Sequence, residues 1–219
     1  SAALFASRDF CAQELYLKRG MAVTMFMSTL VAFGLIGTSD SFVVIFAGQS
    51  FLPSVLILQI LSVSLITIGW GNVLRTQLIL PQGLDRVYSG SLVSGLIISC
   101  LLSAVLIFPF GTIGAAIGFL VGELVVACVQ AYCIRNIVEL KPLIAILVRF
   151  VLVGIFACGA MFLIKFCSFG LVQTFVLQIF VGSTIFILLT LLSEFFIKDR
   201  YFLNEIERVW KKVGALRHR

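Results

Sequence analysis

The chain has 219 residues, of which 61% are hydrophobic and 12% charged, where a soluble globular domain carries about 25% charged residues. With a mean hydropathy of +1.16, a single core cannot hide the apolar surface, which excludes a soluble globular domain. Disorder and nucleic-acid binding are excluded as well, because the net charge of +6 sits outside the apolar runs.

A helix needs roughly 20 mostly apolar residues to cross a bilayer core about 30 Å thick. Six segments qualify, at 21–38, 54–74, 88–108, 112–133, 143–164 and 172–193. The prolines Pro53, Pro81, Pro109 and Pro142 fall at their borders, where loss of a helical hydrogen bond does least harm. The segments are continuously apolar rather than alternating, which disfavours a β-barrel. The expected fold is all-α and polytopic. A connector over 1–20 precedes the transmembrane domain at 21–193, and a basic amphipathic tail over 194–219 follows it.

In the first span, Gly34, Gly37 and the Ser39-Asp40-Ser41 cluster interrupt the apolar run. The run 42–46 either completes that helix or lies at the interface. The opening Ser1-Ala2-Ala3-Leu4 has neither a methionine nor a signal peptide, so the chain is expected to be a piece of something longer. In the tail, Phe202, Ile206, Val209, Trp210, Val213 and Leu216 recur at helical spacing between charges. Such a helix either binds anionic headgroups or is a plain stop-transfer flank.

Six spans put both termini on one side. That side would hold Arg8, Lys18, Arg19, Arg75, Arg86, Arg135, Lys141, Lys198, Arg200, Arg208, Lys211, Lys212, Arg217 and Arg219, fourteen of the 16 basic residues. The positive-inside rule then makes both termini cytoplasmic.

Charge at bilayer depth costs about 2.5–3.5 kcal/mol on insertion scales and asks for a reason. Glu123 lies near the middle of span four and Arg149 about two turns into span five. The short loop at 134–142 suggests that these spans are antiparallel neighbours. The two residues then either form a structural pair or face a cavity, where Arg149 would meet an anionic headgroup and Glu123 a coupling ion or proton. Snorkelling of Arg149 is the third option. Asp40 is either a functional charge or a solvated helix end, and Gln77 and Gln82 read equally as loop residues. Gly114, Gly118 and Gly122 recur every four residues, which lets another helix approach closely. Intramolecular packing is the expected use, with Ser91 and Gly95 giving span three a smaller version.

Catalysis is not expected. The single histidine, His218, and the cysteines Cys11, Cys100, Cys128, Cys133, Cys158 and Cys167 show no metal-ligand spacing. No glycine-rich phosphate loop appears, and no cofactor is implied.

The stretch 47–125 carries a recognisable pattern. It runs Ala47-Gly48-Gln49-Ser50-Phe51-Leu52-Pro53-Ser54, Ile57-Leu58-Gln59-Ile60-Leu61-Ser62, Asn72-Val73-Leu74 and Gln77-Leu78-Ile79-Leu80-Pro81-Gln82-Gly83. It closes with Pro109-Phe110-Gly111-Thr112-Ile113-Gly114, Gly118 and Gly122-Glu123. This resembles the C-terminal half of polysaccharide-biosynthesis flippases, the O-antigen or lipid-linked oligosaccharide exporters of the multidrug/oligosaccharidyl-lipid/polysaccharide exporter superfamily. The segment Ala6-Ser7-Arg8-Asp9 through Arg19 is similar to the cytoplasmic link before the ninth helix of fourteen-helix members.

The resemblance implies two helical lobes around a central cavity in the bacterial inner membrane. Alternating access would carry a polyprenyl-diphosphate-linked glycan to the outer leaflet. This chain would be most of the second lobe plus a peripheral pair, spans five and six, with the N-terminal lobe missing as its partner. Arg149 and Arg75 would suit the diphosphate, and Glu123 ion coupling. The competing expectations are a multidrug or cation exporter of the same fold and a non-transporting subunit of glycan assembly. A glycan polymerase or ligase is a weaker one, for want of a polar outer loop.

Overall fold

The computed structural model describes residues 10–164 and 170–196, all in helices and short connections with no strand among them. The expected tail helix from Lys198 lies outside the described residues. Among the described residues, six helices are long and apolar enough to cross a membrane. They are α1 (Phe10–Ala47), α2 (Val55–Leu74), α3 (Asp85–Phe110), α4 (Thr112–Ile134), α5 (Leu140–Ile164) and α6 (Leu171–Phe196). The protein is an all-α polytopic membrane helix bundle.

At 38 residues, α1 spans about 57 Å, so it takes in half of the expected connector at one end and the run 42–46 at the other. The Ser39-Asp40-Ser41 cluster does not break it, because the two serines bond to neighbouring helices. Gln59 Nε2 on α2 donates to Ser39 Oγ at 2.8 Å. Ser41 Oγ donates to Gln178 Oε1 on α6 at 3.4 Å, and Gln178 Nε2 donates to the Met161 carbonyl of α5 at 3.3 Å. Polar side chains of this kind hold helices together where lipid is as apolar as leucine. Replacing Gln178, which is fully buried, with leucine is expected to cost about 1 kcal/mol, measured as a shift in the denaturant midpoint of the purified protein in mixed micelles.

The middle of the bundle is α1. Met21, Ala22, Met25, Thr29 and Ala32 have no exposure at all, and Phe26 packs its ring against Phe150 of α5 and Phe186 of α6, with centroids 6.1 and 5.4 Å away. On one side α1 contacts α2, which in turn contacts α4; on the other it contacts α5 and α6. The sequence expectation that α4 and α5 are packed neighbours fails, because they share no substantial contact. The small-residue face of α4 is taken by α3, another of its faces packs on α2, and α5 turns Ile146, Phe150 and Val153 into the core around α1.

The α3–α4 hairpin is the most extensive pairing among the described residues. It turns on Gly111, whose φ of 58° suits glycine and few other residues. A Cβ placed on Gly118 would stand 2.6 Å from the Ser103 backbone nitrogen, and one on Gly122 would stand 2.6 Å from Ser99 Cβ and 2.9 Å from the Gly95 carbonyl oxygen. A Cβ on Gly114 would meet the Leu106 carbonyl. The glycine stripe is therefore an intramolecular seam.

Candidate functional site: the cleft between α2, α3 and α4

Two of the residues singled out from the sequence, Arg75 and Glu123, line one cavity. Its volume is about 220 Å³, and Thr67, Asn72, Tyr88 and Gln130 contribute its other polar side chains. The site is laid out along the helix axes. Gly71 on α2 faces Gln130 on α4, since a Cβ there would stand 3.1 Å from Gln130 Oε1. Arg75 is one turn beyond Gly71, toward the end of the bundle. Glu123, at the midpoint of α4, is seven residues from Gln130 in the other direction, about 10 Å by helical rise.

Arg75 opens a wide π-helical turn, Arg75–Ile79, that continues α2, a rare geometry often found at functional sites. Gln77 lies within this turn rather than in a loop. The Arg75 guanidinium is held by its neighbours. Nη2 donates to Asn72 Oδ1 at 2.6 Å, Nη1 donates to the Tyr88 hydroxyl at 3.3 Å, and Cζ stands 5.5 Å from the Tyr88 ring centroid. Two of its N–H groups are used this way, which leaves donors for an anion.

The inner part of the cavity offers acceptors. Gln130 is 2% exposed, and its Nε2 donates to Ser91 Oγ at 3.1 Å. That bond fixes the amide and leaves Oε1 buried without a hydrogen-bond partner among the described residues. Glu123 has no ion pair or hydrogen bond among the described residues. A second cavity of about 360 Å³ adjoins the first and shares Leu92, Glu123 and Val126 with it. Its remaining lining includes Val93, Leu96 and Phe119, so it is an apolar groove along α3 and α4. The chain matches no family model, no curated protein and no solved structure.

Arg149 is elsewhere. It neither pairs with Glu123 nor lines this cavity: its Nη2 binds Glu194 Oε1 of α6 at 2.8 Å, and its Cζ is 4.7 Å from the Phe150 ring centroid. Glu194 has no side-chain exposure and Arg149 only 11%, so the pair neutralises itself on the far side of α1 from Glu123. Asp40 is half-buried in α1, seven residues before its end, away from the cavity.

Sequence reasoning missed Glu194, Gln130, Asn72 and Tyr88. Glu194 fell one residue past the drawn end of span six, although Phe195, Phe196 and Ile197 continue the apolar run. Gln130 carried a signal, since its seven-residue spacing from Glu123 puts both on one face of a helix.

Proposed function

We propose that this chain is one lobe of an alternating-access transporter that moves a lipid-linked, diphosphate-bearing oligosaccharide across a bacterial inner membrane, with both termini cytoplasmic and a first lobe as its partner. The observation that carries the reading is a polar cavity, with Arg75 toward the end of the bundle, that runs on into an apolar groove. That is the shape of a site for an amphiphile: an anionic head against a guanidinium, which binds phosphate oxygens well, and a chain along Leu92, Val93, Leu96 and Phe119. The resemblance of residues 47–125 to oligosaccharide flippases supplies the substrate class, and the proposal involves no catalytic step.

Arg75→Ala in the full-length protein is expected to reduce glycan export at least about tenfold, by loss of a charge-assisted contact worth about 1.5–3 kcal/mol. Arg75→Lys should retain part of it. The measurement is surface glycan per unit of membrane-inserted protein, and export unchanged in Arg75→Ala would remove the site assignment. One observation favours a second reading, an exporter of lipophilic cations. Arg149 is neutralised by Glu194 away from the cavity, while Glu123, beside the apolar groove, has no counter-ion among the described residues. Efflux of a lipophilic cation that is lost in Glu123→Gln and kept in Arg75→Ala would select that reading.

A further inference from the structure

We propose that Glu123 is a proton-binding carboxyl group that water reaches from one end of the bundle only, the end at which Arg75 stands. The inference deepens the transporter reading, in which the proton exchanges as the lobes move, but the site and its sidedness rest on geometry alone. A carboxylate at the midpoint of a spanning helix is costly unless it is paired, hydrated or protonated. Glu123 has no protein partner among the described residues, and it borders a cavity with room for several water molecules.

The lining of that cavity forms a polar column. Asn72 is exposed at the Arg75 end, and Gln130 follows, with an acceptor buried at the wall that has no partner among the described residues. Thr67 then leads to Glu123. An orphaned amide oxygen in a polar cavity is where an ordered water is expected. The other titratable or charged side chains facing this cavity are Arg75 on α2 and Tyr88 on α3. The proton is taken from water at a carboxylate oxygen and returned to water, and no other bond changes.

On the opposite side of Glu123 the lining turns apolar: the adjoining groove runs on along Leu96 and Phe119, with Ser99 the other polar side chain on its wall. From Ile113 to Gly122, α4 carries no polar side chain, and the Gly114–Gly118–Gly122 seam sits on Leu106, Ser103, Ser99 and Gly95. Three serines near that stretch are already bonded within the protein. Ser103 Oγ donates to the Ala115 carbonyl at 3.3 Å, while Ser62 and Ser64 on α2 donate to carbonyls of their own helix.

The test uses the full-length protein in sealed vesicles of known orientation, with its native cysteines replaced. Thr67→Cys and Val126→Cys, two small changes in the cavity wall, are exposed to a membrane-impermeant cationic thiol reagent from each side in turn. Both are expected to react from the Arg75 side, at least about tenfold faster than from the other side and than Leu101→Cys on the exposed apolar surface of α3, because a charged reagent does not enter hydrocarbon. Equal reaction from both sides, or none above the Leu101 control, would overturn the one-sided path. The proton is read by difference infrared spectroscopy across a pH titration, as a protonated-carboxyl band that disappears in Glu123→Gln. No such band, or one that responds to sodium and not to pH, would overturn proton binding. Neither readout requires transport, so the transporter reading can fail while this one stands, and the reverse.

Discussion

Glu194→Ala is expected to destabilise the folded protein by about 3–5 kcal/mol, because it leaves a buried guanidinium without its partner. The Arg149–Glu194 pair is 2.8 Å long, with side-chain exposures of 11% and 0%, so neither water nor salt screens it appreciably. Arg149 Nε is already buried without a hydrogen-bond partner among the described residues, so the orphaned guanidinium would have little else there to bind. Arg149→Ala should cost a similar amount, now by stranding Glu194. The double variant Arg149→Met with Glu194→Leu should recover most of the loss, since replacing a buried pair by well-packed apolar residues is often neutral. Equilibrium unfolding of the purified full-length protein in mixed micelles measures all three. Wild-type stability in Glu194→Ala would mean that the pair does not form. Loss of function in an Arg149 variant is thus expected to follow from lost stability rather than from lost substrate contact.

The second large effect is at Gly118. Gly118→Val would bring a branched side chain against the Ser103 backbone, where even a Cβ stands 2.6 Å from the nitrogen. Backbone cannot move aside as a flexible side chain can, so the α3–α4 hairpin must open. The expected cost is about 3 kcal/mol or more, at the top of the overpacking range. Gly159→Val is the control, since a Cβ at Gly159 meets nothing within 4 Å, and it should be near neutral. Both are read as expression of folded protein and as the unfolding midpoint. If both variants behave alike, the seam is not where these helices meet.

Hydropathy made the helices legible because each span is nearly continuous, and the prolines marked the turns. It could not assign neighbours. Loop length suggested that α4 and α5 pack together, but adjacency depends on which faces are complementary. The glycines of α4 match the small residues of α3, while Phe150 of α5 matches Phe26 of α1. The same limit applies to the charges. Glu123 and Arg149 stood out as intramembrane charges, yet their partners depend on the packing order. Glu194 was hidden by a boundary drawn at the first charge after span six. Arg75 read as a loop residue, and only the folding of α2 against α3 and α4 sets it in one cavity with Glu123. Asp40 read as a helix end because serines and glycines around it resemble a stop signal. In the protein those serines are the glue to α2 and α6.

The central claim is that the cleft between α2, α3 and α4 receives the head and chain of a lipid-linked anion. Photo-crosslinking tests it most directly, with a photoreactive amino acid at Leu92, where the polar cavity meets the apolar groove, and at Leu101 on the exposed surface of α3 as reference. In membranes containing a labelled polyprenyl-diphosphate glycan, the account predicts capture at Leu92 well above that at Leu101, and its loss in Arg75→Ala. Equal capture at the two positions, insensitive to Arg75, would contradict it.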